Sequence, residues 1–431
     1  MHITVHLLQR FFAFGIIFIN MCCSAQPLPY AKEVISKLTA DEMKGRGYVG
    51  NGDRIAAEYI AHEFEKAGVK KFGASYFQEF TTPVNSFPGK MQLSINGKSL
   101  VPGKDFLVEP GAPGISGKFK VEHLTIEELL SNDAWFKKVA KAKGKFIVVG
   151  PYDKKQLNSD QQKRVNDIIT FLKYGNENPA AGALIIINEK LTWSGSTELL
   201  SRPSFTINSN DIQTPVSGVE VNVENEFIKQ HRTQNVVGYI PGERTDSLLV
   251  FTAHYDHLGM MGRETIFPGA NDNASGVSVL LNLVKHYSKA KPQFSVAFIA
   301  FAAEEIGLIG SRYFVEHPVF PLAKIKFLIN FDLAGTGDEG IQVVNGKVYE
   351  DKFKKLSVIN QEQNLMTQIK VRGEACNSDH CMFHAKSVPC FYIYTLGGIQ
   401  AYHDIYDRGE TLPLTDYEDY LKLIIGFAAE L

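Results

Sequence analysis

Phe294-Ser-Val-Ala-Phe-Ile-Ala-Phe301 runs straight into Ala302-Ala303-Glu304-Glu305. A short run that is apolar on both faces reads as a strand buried from both sides. Outward from it the pattern recurs. Leu248–Ala253 leads into His254-Tyr255-Asp256-His257, and Ile325–Phe331 leads into Asp332. Phe391–Thr395 leads into Gly397-Gly398 and then Tyr402-His403. Between the first two strands, Ser275–Ser288 places Val277, Leu280, Leu281 and Val284 on one helical face, entered through Gly269–Gly276. Buried strands alternating with helices predict an α/β fold with a mostly parallel central sheet flanked by helices. Ligands of such sheets bind beyond the carboxyl ends of the strands. Most of the acidic and imidazole groups named above follow directly on a strand.

N-terminal to this core, residues 51–68 carry Ile55, Tyr59, Ile60 and Phe64 at helical spacing, and Gly68 stops the helix. Residues 76–110 alternate and contain Gly and Pro, which suggests strands and turns. Two short β-branched runs, Lys145–Val149 and Ala183–Ile187, each follow a glycine and read as buried strands. Pro203–Ile207 reads as another strand, and the polar stretch 152–178 as helix plus loop. These segments predict a smaller α/β or β-rich domain inserted at 92–226, with 26–91 and 227–431 forming the main domain.

The chain has 431 residues, 44% hydrophobic and 21% charged, with a formal net charge of −2. That balance provides no global field for nucleic acid or an acidic membrane. Arg10, the apolar stretch Phe11–Ile19 and the small residues Cys23-Ser24-Ala25 predict a cleaved signal peptide over 1–25 and export to the periplasm, the medium or the outer surface. The apolar run is too short to span a bilayer. A lipid on Cys22 or Cys23 is the minor alternative. After cleavage Cys376, Cys381 and Cys390 remain. The first two are the natural disulfide pair in an oxidising compartment, and Cys390 reads as a buried thiol.

Singly, each acidic or imidazole group has a bland explanation: a surface histidine, a helix cap, a solvated helix start. Together they ask for a cation, because buried carboxylates are costly unless paired or metal-bound. His254, Asp272, Glu305, Asp332 and His403 suit zinc, which accepts imidazole nitrogen and carboxylate oxygen. Five ligands exceed one tetrahedral ion with a water, and fit two ions if one carboxylate bridges. The His-Glu-x-x-His pattern of single-zinc proteases is absent.

The order His254-Tyr-Asp256, Gly269–Gly276, Glu304–Ser311, Asp332 and Tyr402-His403 resembles the two-zinc exopeptidases typified by aminopeptidase Y and the secreted bacterial leucyl aminopeptidases. Residues 234–410 carry the resemblance strongly. Leu38–Glu42 and Gly45-Arg46-Gly47 carry it loosely, and the middle unit resembles a protease-associated domain. The resemblance implies a zinc-exopeptidase fold, two zinc ions and a peptide substrate. It implies that His254 and Asp332 hold one ion, that Glu305 and His403 hold the other, and that Asp272 bridges. It makes Glu304 the general base and Tyr402 an oxyanion partner. Asp256 would orient His254 through its other ring nitrogen, and Asp379, in Ser378-Asp379-His380, would lie near the site. His257, His380 and His384 are left as structural or surface residues. An aminopeptidase is the leading expectation. A carboxypeptidase or dipeptidase, a one-zinc glutaminyl-cyclase relative and a non-enzymatic binding protein are the alternatives.

Overall fold

A computed structural model describes residues 27–131 and 133–431. The expected signal peptide and the alternative lipid site at Cys22 or Cys23 lie outside the described residues. No helix of the described residues is long and apolar enough to cross a membrane.

An eight-stranded sheet organises the chain. Its centre is parallel, in the order Phe294–Phe301, Arg244–His254, Ile325–Phe331, Cys390–Thr395. The flanks join it antiparallel, and the outermost strand, Ile369–Val371, pairs parallel with Ile341–Val344. Glu226–Ile240 and Phe77–Ser86 extend one side, and Ile341–Val344 pairs antiparallel with Cys390–Thr395 on the other. Side chains of the central strands alternate between two cores, as the two-residue period of a strand requires. Phe251, Val296, Phe298 and Ile329 pack under the helices Pro27–Leu38, Gly52–Lys66, Gly276–Tyr287 and Tyr417–Ala429. Val250, Ala297, Ile299 and Leu328 pack on the opposite face with Phe314 and Phe383. Helix Gly276–Tyr287 is buried through Val284, which is why its apolar positions exceed a single stripe.

The middle of the chain forms two further sheets. One has five strands in the order Phe106–Val108, Ser204–Asn208, Gly182–Ile187, Phe146–Tyr152, Val121–Leu124. The other has four: Lys98–Leu100, Met91–Ile95, Val219–Val223, Ile115–Phe119. Their shared core includes Leu258, Met261 and Phe267, so it is continuous with the loop that follows the strand ending at His254. Helix Ser159–Tyr174 occupies part of the stretch read as helix plus loop, capped by Asn158 and Gln161. Cys376 and Cys381 form a disulfide, and Cys390 is free and buried.

Candidate metal centre

The parallel strands end side by side. His254 closes its strand opposite Phe301, and Asp332 follows Phe331. After Phe301 the chain turns sharply, with Ala303 at a φ of 58°, and presents Glu304 and Glu305. Asp272 stands in the irregular turn Ala270–Ser275 that opens helix Gly276–Tyr287. His403 arrives on the loop beyond strand Cys390–Thr395.

The structure brings these five side chains together around one carboxylate. His254 Nε2 lies 3.3 Å from Asp272 Oδ1 and 3.3 Å from Asp332 Oδ1. His403 Nε2 lies 3.0 Å from Asp272 Oδ2 and 3.1 Å from Glu305 Oε2. Each oxygen of Asp272 therefore faces a different histidine–carboxylate pair. Donor atoms of His254, Asp272 and Glu305 all lie within 4.8 Å of one another, and so do those of His254, Glu304 and Asp332. For metal–ligand bonds of 2.0–2.1 Å, neighbouring donors on a tetrahedron sit about 3.3 Å apart, which these separations approach. The residues present fit a metal ion on each side of Asp272.

Charge balance points the same way. Asp256, Asp272, Asp332 and Asp379 are buried beside Glu305, whose side chain is 5% exposed. Burial and Asp272 push the Glu305 carboxyl up, but His403 and His257 outweigh them and hold it at about 2. Burial lowers the His403 imidazole, while Glu305 and Asp272 outweigh that and raise it to about 11. The acids thus draw protons onto the imidazoles, where a dication would otherwise supply the positive charge.

Supporting residues come from farther off. Asp332 Oδ2 accepts a hydrogen bond from Ser378 Oγ at 2.8 Å, Ser378 Oγ accepts one from Asn330 Nδ2 at 2.8 Å, and Asn330 Oδ1 accepts one from Thr252 Oγ1 at 2.7 Å. The carboxylate of Asp407 accepts the main-chain N–H groups of Asn271 and Asp272 at 2.8 and 3.0 Å. His257, without an assigned role in the sequence, is buried with Nδ1 2.6 Å from Glu305 Oε1. Asp256 meets His254 Nδ1 and also supports the turn after Phe301. Its main-chain oxygen lies 3.2 Å from His254 Nδ1, and its carboxylate oxygens accept the amides of Glu304 and Glu305 at 3.1 and 3.3 Å. The turn after Phe301 leaves those amides outside the sheet ladder, and they need acceptors. Asp379 is buried, and burial pushes its carboxyl up to about 7. Tyr402 stacks on His403, ring centroids 4.1 Å apart, and is 45% exposed. His380 and His384 lie on the short helix His380–His384, directed to Ala375 O and Glu374 respectively.

Residues 235–428 match the sequence profile of peptidase family M28. That match covers somewhat less than half of the chain. Aminopeptidase YwaD of Bacillus subtilis is 27% identical over 51% of this chain and 50% of its own length. A probable leucine aminopeptidase of Arthroderma otae is 23% identical over 64% of this chain and 73% of its own. The chain thus spans half the length of the Bacillus relative. The fold is shared along most of the chain's length with solved peptidase structures. A zinc aminopeptidase of Bacillus subtilis superposes with a TM-score of 0.66 at 19% identity, over 93% of this chain and 94% of that one. An M28 peptidase precursor of Shewanella amazonensis gives 0.64 at 15%, over 93% and 96%.

Proposed function

We propose that this chain is an exported aminopeptidase that removes N-terminal residues from peptides with two zinc ions and a glutamate base. The observation that carries the reading is the shared carboxylate of Asp272, with His254 and Asp332 on one oxygen and His403 and Glu305 on the other. The relatives' names supply the preference for aminopeptidase over carboxypeptidase or dipeptidase. The Cys376–Cys381 disulfide supports an oxidising compartment. Residues 92–226 fit the reading as an inserted protease-associated-like unit.

His254, Asp272, Glu305, Asp332 and His403 would hold the zinc, which when bound would supply polarisation of a scissile carbonyl and acidification of water. Glu304 follows the same turn as Glu305, and it accompanies His254 and Asp332 rather than His403. Burial and the nearby carboxylates push its carboxyl well above the ordinary range, with His254 opposing them. It can therefore take a proton from the attacking water and pass it to the leaving amine. Tyr402, its phenol kept protonated by burial and the surrounding carboxylates, can donate to the oxyanion. Asp256 fixes the Glu304–Glu305 turn through both amides.

Glu304→Gln is expected to keep wild-type zinc content and lose hydrolysis by at least about 100-fold, the scale of general-base catalysis. Retained turnover would remove Glu304 from the role. Elemental analysis should return two zincs per chain, whereas a reproducible value of one would favour a cyclase-like site. On a panel of free and N-blocked aminoacyl and dipeptide substrates, cleavage of the free forms is expected. Cleavage of blocked substrates alone would refute the aminopeptidase.

A further inference from the structure

The distal ring nitrogen of His403 is met from outside the eight-stranded sheet. His403 Nδ1 lies 2.9 Å from Trp193 O, and the Trp193 amide donates back to His403 O at 2.9 Å. Trp193 belongs to the strap 188–203, which joins strands Gly182–Ile187 and Ser204–Asn208 of the five-stranded sheet. Three residues earlier, Lys190 Nζ donates to Gln400 O and to Tyr402 O, and pairs with Asp404 Oδ2 at 2.6 Å. The strap is seated in turn. The Trp193 indole donates to Val108 O at 2.8 Å, and its ring stands 4.8 Å from that of Phe267. Two residues on, the strap passes so close to Ile306 that a Cβ at Gly195 would meet Ile306 Cγ2 at 2.3 Å.

We propose that this strap is a positioning element of the metal centre. It fixes the ring of His403 through the Trp193 carbonyl, and thereby sets the affinity for the cation on the His403–Glu305 side of Asp272. The His254–Asp332 side has its own supports and does not depend on it. The proposal rests on the reading of His403 as a metal ligand.

The physical case has three parts. A carbonyl accepting from Nδ1–H holds the proton there, leaves the Nε2 lone pair for the metal, and locks the ring orientation. The loop around His403 cannot do this itself, because it lies outside helix and strand, with His403 at a φ of 52°. Lys190 neutralises Asp404 and ties down the carbonyls of Gln400 and Tyr402, so the loop is held on both sides of the residue that matters. Coupling of this kind is reciprocal: if the strap favours metal at His403, metal there favours the docked strap.

The test uses the full chain loaded with zinc and dialysed against graded chelator, with zinc retention read by elemental analysis. Trp193→Ala and Lys190→Met are expected to release one zinc at roughly 10-fold lower chelator, the scale of losing support around a ligand, and to hold the other as wild type does. Trp193→Phe and Lys190→Arg should return most of the affinity, and a general loss of packing would not confine the loss to one of the two zincs. Because Lys190 is on the surface, its variant decides the question even if Trp193→Ala fails to fold. In the wild type, exchange of the Trp193 amide should quicken on chelation. His403→Ala is the control and should release the same zinc. If His403→Ala retains both zincs with wild-type affinity, the ligand reading fails and the proposal falls with it. If that control loses one zinc while Trp193→Ala and Lys190→Met keep both unchanged, the ligand reading stands and the strap proposal is overturned.

Discussion

Arg46 is fully buried and directs its guanidinium at main-chain carbonyls rather than at a carboxylate. It donates to Tyr255 O at 2.8 Å, Leu38 O at 2.9 Å, Pro268 O at 2.6 Å and Gly269 O at 2.6 Å. Burial lowers its pKa to about 10 against the pull of Asp407 and Asp272, so it stays charged at neutral pH. It therefore ties the turn bearing Asp272 to the end of the strand bearing His254. Arg46→Met would orphan several buried carbonyls at once and should cost at least about 3 kcal/mol. A lowered urea midpoint together with lowered zinc content checks this, and an unchanged midpoint would refute it. His380 gives a pH-dependent case. Burial pushes its imidazole from 6.5 to about 4, so the folded chain resists a proton that the unfolded chain accepts below about pH 6.5. Its contribution is intact above pH 6.5 and is lost as pH falls toward 4, by at most about 3 kcal/mol. His380→Gln, which can still donate to Ala375 O, should lose less stability between pH 7 and pH 5 than wild type; equal losses would dismiss the idea. Residues at this scale were unevenly legible. Asp332 and Glu305 announce themselves by following buried strands. Ser378, Asp407 and His257 do not, because each acquires its partner from a segment remote in sequence.

At the scale of elements, the turn Asp41–Arg46 and the hairpin Gly259–Met261 with Thr265–Phe267 press against each other. A Cβ at Gly47 would stand 2.4 Å from Gly259 Cα, so the two backbones touch without room for a side chain. Gly47→Ala should cost about 1–3 kcal/mol, the range for overpacking, and should loosen the Arg46 anchor beside it. Urea unfolding with and without zinc measures both effects, and a wild-type midpoint would show that the backbones can part cheaply. The central strands were legible because both their faces are apolar, a pattern that the flanks lack. Glu226–Ile240 begins with exposed and half-buried residues and, His231 aside, is buried only from Thr233 onward, with Tyr239 half-buried. Its pairing with Phe77–Ser86 joins segments separated by the two smaller sheets, and no local period encodes that. The close approach of Gly47 to Gly259 is likewise tertiary, and a glycine in the sequence only permits it.

At the scale of the molecule, the site stores an imbalance that only a cation or protons can relieve. Without metal, His403 is raised from 6.5 to about 11, because Glu305 and Asp272 outweigh the burial that lowers it. A folded pKa above the unfolded one stabilises fully below about pH 6.5 and is lost as pH climbs toward 11. The metal-free protein should therefore weaken steadily on the alkaline side, by up to about 1.4 kcal/mol per pH unit for each proton so held. Zinc binds neutral imidazole and releases those protons, so the loaded protein should not share this slope. Its added stability grows with free zinc by mass action, about 2.7 kcal/mol at 100 times the dissociation constant. The gap between loaded and chelated protein should thus widen from pH 7 to pH 9, read as unfolding midpoints in fixed free zinc and in excess chelator. Zinc uptake at pH 7 should also release protons, visible as a calorimetric heat that changes with the ionisation enthalpy of the buffer. A gap that narrows with rising pH would mean that the carboxylates are balanced by something other than the imidazoles. It would move the charge compensation to Arg46, the remaining buried cation beside Asp272 and Asp407 among the described residues.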